Sequence, residues 1–192
     1  MADPVSTLSE RFDDLSLAEV GAMLAAQKLP PVERWNPPDR GDSFMESGRR
    51  SWWHKGGQIG RPALVKLFAS ILRREADGSY ALVTPYEKQR IAVADLPFRA
   101  VEMLSEGAGC ERRLVFRLDT GEVVAAGAEH PLRFGGSSDQ PRPAVHVRGA
   151  IGNGLEARLS RALYYDIAEL ALAEGEDPPA IWSDGERFAL TA

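Results

Sequence analysis

The residues best able to do chemistry gather in two short stretches of the 192-residue chain, Arg49-Arg-Ser-Trp-Trp-His-Lys-Gly-Gly57 and Thr84-Pro-Tyr-Glu-Lys88. Two adjacent tryptophans on a strand face opposite sides, so Trp52 and Trp53 cannot share one core. One ring is predicted to line a second surface beside His54, Lys55 and Arg61. Its competing role is packing, either in a second core or against another subunit. In the second stretch, Pro85 removes a ladder donor and fixes a rigid corner that can present Glu87 and Lys88 to a ligand, with an exposed ion pair as the alternative.

Nucleophilic catalysis and metal binding find little support. His54, His130 and His146 are the only histidines, and no two have the spacing of a local metal site on one strand or helix. No Gly-x-Ser-x-Gly elbow or Gly-Lys-Ser/Thr phosphate loop occurs, and Gly152-Asn-Gly154 lacks the rest of a dinucleotide fingerprint. A hydrolase would have to use His54 and Glu87 as its acid-base pair. No catalytic residue, metal or cofactor is assigned on this reading. Cys110, the single cysteine, has no intrachain partner and is expected to be inert.

Composition sets the frame. The chain is 44% hydrophobic and 27% charged, as globular proteins are, and carries a net charge of -5 with pI near 5.3. An acidic molecule repels phosphate backbones, so nucleic acid is not the expected partner. The start, Met-Ala-Asp-Pro-Val, lacks an export signal, and no apolar run approaches the roughly 20 residues needed to cross a bilayer. The expectation is a cytoplasmic protein with no membrane association.

The elements that must hold these residues follow from periodicity. Ser16-Leu-Ala-Glu19 is a capping box for a short helix reaching Ala26, and prolines 30, 31, 37 and 38 make a connector to Asp42. Residues 43–46 and 51–54 read as strands, with Lys55-Gly-Gly-Gln58 as the reversal. Leu64, Leu67, Phe68, Ile71 and Leu72 make one helical stripe, which Arg73 and Arg74 extend towards a stop at Asp77-Gly78. Strands are predicted at 80–84, 89–93 and 99–104, followed by a hairpin around Asp119-Thr-Gly121.

The same grammar then returns. His54-Lys-Gly-Gly-Gln-Ile59 is echoed by His146-Val-Arg-Gly-Ala-Ile151, the first helix by one through Leu159, Leu163, Ile167 and Leu170, and the Asp77-Gly turn by Asp184-Gly. This predicts an α+β fold of two small lobes, built from a duplicated strand-turn-strand-helix-hairpin motif with antiparallel sheets. The divisions are 1–42 (helix and connector), 43–134 (first lobe) and 143–192 (second lobe), with the loop Gly135 to Pro143 between the lobes.

Four segments, Trp53-His-Lys-Gly-x-x-Ile-x-Arg61, Leu64-Val-x-Leu-Phe-Ala-Ser-Ile-Leu-Arg-Arg-Glu75, Asp77-Gly-x-Tyr-x-Leu-Val-Thr-Pro-x-Glu-Lys88 and Asp95-x-Pro-Phe98, resemble the bacterial family catalogued as domain of unknown function 1285. The resemblance runs from about Ser51 to the carboxyl end. It implies a two-lobed α+β protein with repeated motifs and a ligand-binding or signalling role, and it carries over no catalytic residue. Trp53, His54, Arg61, Thr84, Glu87 and Lys88 match its motifs and form the expected pocket for a small anionic ligand. The expected function is a non-enzymatic sensor or adaptor, and the alternative is an interaction module that pairs with a protein partner or with a second copy of itself.

Overall fold

The computed structural model describes residues 32–47, 51–137 and 139–190. The capping box at Ser16 and the helix expected after it lie outside these residues.

Two six-stranded mixed sheets make up most of the molecule. The first contains β1 (Asp39–Ser47), β2 (Trp52–His54), β3 (Gly57–Gln58), β4 (Leu72–Arg74), β5 (Tyr80–Val83) and β6 (Lys88–Val93). Its order is β3-β2-β1-β6-β5-β4: two antiparallel meanders joined by the parallel pair β1 and β6. The second contains β7 (Phe98–Glu106), β8 (Arg113–Leu118), β9 (Val123–Ala125), β10 (Leu132–Arg133), β11 (Ala144–Arg148) and β12 (Leu155–Leu159). Its order, β10-β11-β12-β7-β8-β9, is the same topology, with β12 and β7 as the parallel pair.

The local repeat seen in the sequence is present within this larger one. β2-β3, helix α1 (Pro62–Ile71) and β4-β5 are matched by β11-β12, helix α2 (Arg161–Glu174) and the ribbon of β13 (Ala180–Ser183) with β14 (Glu186–Ala189). The two repeats are out of phase. The change of sheet falls at residues 94–97, whereas Gly135 to Pro143 joins β10 and β11 of one sheet.

Helix α1 stops at Ile71, six residues before the expected Asp77-Gly78. The cause is Leu72, which is fully buried and extended in register with Leu82, so core packing overrides helix propensity there. Arg73 and Arg74 consequently lie on β4. Helix α2 is bounded by its own local chemistry: Ser160 Oγ accepts the Leu163 N–H, and Gly175 closes the helix at φ 72°. Leu159, assigned above to this helix, lies on β12.

One apolar cluster unites the sheets, running from Trp52 and Leu72 through Phe98 and Phe116 to Ile167 and Ile181. Trp52 is buried and stacked at 6.3 Å on Phe68 of α1, while Trp53 faces the other way and is 37% exposed. The strand alternation predicted for this pair is therefore realised.

Candidate functional site

Register decides where the six expected pocket residues lie. His54 pairs with Met45 on β1, and Lys88 pairs with Asp39 on the same strand. β1 is bulged against β6, whose residues 88–92 span the same stretch, so those levels lie about four regular strand residues apart, about 13 Å at roughly 3.3 Å per residue. Trp53, His54 and Arg61 thus form one group and Thr84, Glu87 and Lys88 another. Trp53 donates from Nε1 to Ser51 Oγ at 3.0 Å, and Arg61 is an exposed N-cap whose side chain makes no capping bond. Thr84 builds its own turn: Oγ1 accepts the Glu87 N–H at 3.1 Å, and its N–H donates to the Glu87 carbonyl at 2.9 Å. Glu87 lies 3.8 Å from Arg40, far from His54. The acid-base pair required for a hydrolase is not brought together.

Lys88 leads to a different place. Its Nζ donates to Glu75 Oε2 at 2.9 Å, and Arg73 Nε donates to Glu75 Oε1 at 2.6 Å. Arg73 also grips the chain before β1, donating from Nη1 to the carbonyls of Val32 at 3.1 Å and Trp35 at 2.5 Å. Burial pushes the Glu75 carboxyl up, but the bonds and charges of Lys88 and Arg73 outweigh it and hold its pKa below the usual 4.5.

This anchor forms one wall of a cleft of about 440 Å³. Arg34 and Trp35 lie on one side, Arg73 and Arg74 on β4, and Arg148 with the turn from Gly149 to Gly154 on the other. The turn is tied down from three directions. His146 Nε2 meets the Gly149 carbonyl at 3.2 Å, Asn153 Nδ2 donates to the Glu75 carbonyl at 3.2 Å, and the Asn153 N–H donates to Ala150 at 3.0 Å. Gly154 is required, because a Cβ there would lie 2.4 Å from the Arg148 carbonyl and 2.5 Å from His146 Cε1.

Arg148 is the unusual member. It is half-buried, its guanidinium donates to the carbonyls of Ala69 and Leu72 at the end of α1, and it lies 5.7 Å from the Phe98 ring centroid. No carboxylate reaches it within ion-pair distance among the described residues. Desolvation lowers its pKa below the usual guanidinium range, with distant help for the charged form from Glu122 and Glu33. Trp35 adds a buried indole N–H without a partner. The cleft is thus rich in donors, with four arginines and one unpaired indole.

The family models match this two-part architecture. Residues 30–96 match the N-terminal domain of the domain of unknown function DUF1285, and residues 97–190 match the C-terminal domain of the protein of unknown function DUF1285. The chain belongs to the DUF1285 family. The boundary between the two family domains coincides with the change of sheet. A DUF1285 family protein from Silicibacter pomeroyi DSS-3 shares 38% identity over 90% of this chain and 95% of its own, with a TM-score of 0.76. One from Shewanella baltica OS155 shares 26% over 66% of this chain and 91% of its own, with a TM-score of 0.50. No curated protein matches the chain.

Sequence reasoning missed Trp35, Arg148 and Asn153. The available signal was Gly149, Gly152 and Gly154 closely spaced after Arg148, a backbone-permissive turn beside a cation. Among the described residues no group of three or more metal-type ligands occurs, and no helix is long and apolar enough to cross a membrane.

Proposed function

We propose that this DUF1285 protein is a non-enzymatic, cytoplasmic sensor or adaptor that holds a small anionic ligand in the arginine-lined cleft and relays its binding to a partner in bacterial signal transduction. The carrying observation is Arg148, a partly desolvated cation lining the cleft with no carboxylate partner among the described residues. Such a charge, set beside Arg34, Arg74 and the unpaired Trp35 N–H, favours a ligand rich in acceptor oxygens. The walls come from both family domains, so a bound anion would draw the two sheets together. Arg61 and Lys88 do not serve this site directly; Lys88 supports it through Glu75.

The test is thermal unfolding against inorganic phosphate, citrate and a panel of nucleoside monophosphates. A ligand at about 100 times its dissociation constant adds roughly 2.7 kcal/mol, a rise of about 5 to 10 °C for a chain of this length. The rise should disappear in Arg34→Ala and Arg74→Ala. A panel without response removes this reading.

A second reading, a protein interaction module, has its own observation. On one face of the second sheet Leu104 pairs with Val115 and Val123 with Arg117, and Leu104 and Val123 are 57% and 59% exposed. Sedimentation that changes with concentration in the wild type and not in Leu104→Lys would favour it.

A further inference from the structure

A second cleft, of about 280 Å³, opens between the start of α1 and the Asp119-Thr120-Gly121 turn that joins β8 to β9. Trp52, Ile59, Val65 and Leu96 give it an apolar wall. Its volume is at the small end for ligand sites, which run from about 300 to 1,000 Å³.

Its polar groups carry charges of both signs. Lys66 and Arg99 are cations and Asp119 an acid, all three line the cleft, and the Arg99 charge acts on Asp119. Lys66 Nζ lies over the turn, 3.2 Å from where a Cβ on Gly121 would stand. Burial raises the pKa of Asp119, against the Arg99 N–H that its Oδ1 accepts at 3.2 Å, the Arg99 charge and the N–H groups of its own turn at Asp119 and Thr120. Helix α1 starts with no side-chain cap and no acidic residue in its first turn, and Pro62 brings no N–H. Thr120, only 8% exposed, lines the same cleft with a buried hydroxyl that has no partner. Buried hydroxyls rarely stay unsatisfied, so this one marks a place for a polar group from outside the chain.

We propose that this cleft binds an apolar α-amino acid as its zwitterion. The carboxylate takes the side of Lys66 and the uncapped start of α1, where the helix dipole favours an anion. The ammonium takes Asp119, and the hydrocarbon side chain covers Trp52, Ile59 and Val65. A simple anion would be repelled by Asp119, and a simple cation by Lys66 and Arg99, so charges of both signs favour a molecule carrying both.

Calorimetric titration of the full chain tests this with L-leucine, with 4-methylpentanoate, which lacks the ammonium, and with 3-methylbutylamine, which lacks the carboxylate. L-leucine is expected to bind, and each analogue about tenfold more weakly or worse, as loss of one charged hydrogen bond implies. Asp119→Asn and Lys66→Met should each weaken L-leucine by about tenfold, and Lys66 is exposed, so its replacement leaves the fold intact. Arg74→Ala, in the other cleft, should leave L-leucine binding unchanged, which separates this site from the anion reading. No binding of L-leucine, L-valine, L-methionine or L-phenylalanine up to about 10 mM overturns the proposal. Binding that both Asp119→Asn and Lys66→Met leave unchanged overturns it as well.

Discussion

Arg148 and Phe98 meet with the guanidinium 5.7 Å from the ring centroid, and the same guanidinium donates to the last carbonyls around α1, at Ala69 and Leu72. A cation at a helix C-terminus complements the dipole, and here it also crosses from the second sheet to the first. Arg148→Met keeps most of the stem and removes both the charge and the donors. It should cost about 2 to 3 kcal/mol, since carbonyls paired with a charged donor are left without it. The midpoint of urea unfolding checks this: a shift below about 0.5 kcal/mol would mean that water replaces the guanidinium without loss.

Gly154 and Gly152 share one turn and face different constraints. A Cβ on Gly154 meets the Arg148 carbonyl at 2.4 Å, His146 Cε1 at 2.5 Å and the Ala150 carbonyl at 2.8 Å, while one on Gly152 meets nothing within 4 Å. Gly152 instead has φ 85°. Gly152→Ala is therefore expected to cost about 1 kcal/mol of backbone strain. Gly154→Ala should cost more than about 2 kcal/mol and disturb the cleft wall, because backbone atoms must move. Equal costs in denaturant unfolding would contradict the assignment of Gly154 to close packing.

How far the sequence could be read depended on whether local chemistry decided each element. The Asp184-Gly185 turn and the opposed faces of Trp52 and Trp53 are set by neighbouring residues, and both were legible, whereas the Ser160 cap is passed over when Leu159 is read into the helix. Lys55 and Gly56 likewise take the positive φ values of 49° and 77° that the predicted reversal needs. The end of α1 was not legible, because the burial of Leu72 against β5 is a tertiary fact. Nor was the true position of the sheet boundary: parallel pairing of β1 with β6 and of β7 with β12 joins segments distant in sequence. The candidate site divided for the same reason, since Trp53 and Lys88 belong to one set of family motifs and lie at levels about 13 Å apart along β6. Arg148 could be recognised as special only once the chain around it was folded.

Lys88 joins the Thr84 corner to the cleft through Glu75, with both side chains 18% exposed. Lys88→Ala leaves Glu75 with Arg73 alone and should destabilise the fold by about 1 to 2 kcal/mol, or roughly 2 to 8 °C in Tm. The pH dependence has a definite sign. Glu75 titrates below its unfolded value of 4.5, so its contribution is complete above that value and is lost as pH falls through the folded pKa. Wild type and Lys88→Ala should therefore converge in stability in strong acid. A constant difference between neutral pH and pH about 2 would show that Lys88 acts by packing alone.

His146 gives the opposite end of the cleft wall its own response to pH. The ring is 4% exposed, stacks at 6.3 Å on His130 and meets the Gly149 carbonyl through Nε2. Burial lowers its pKa from 6.5; the bond to Gly149 favours the charged ring, and His130 opposes it. The neighbouring Glu156 also favours the charged form, and burial prevails over both supports. The unfolded chain accordingly binds this proton first as pH falls. Stability is full above about pH 6.5 and declines as the pH drops towards the folded value, below which the loss is complete. The turn from Gly149 to Gly154 hangs on this ring, so amide exchange at Gly149 and Asn153 should accelerate over the same range. Proton NMR of the imidazole Cε1–H supplies the direct measurement. A midpoint below 6.5 that coincides with the loss of stability supports this account, and a midpoint at or above 6.5 refutes it.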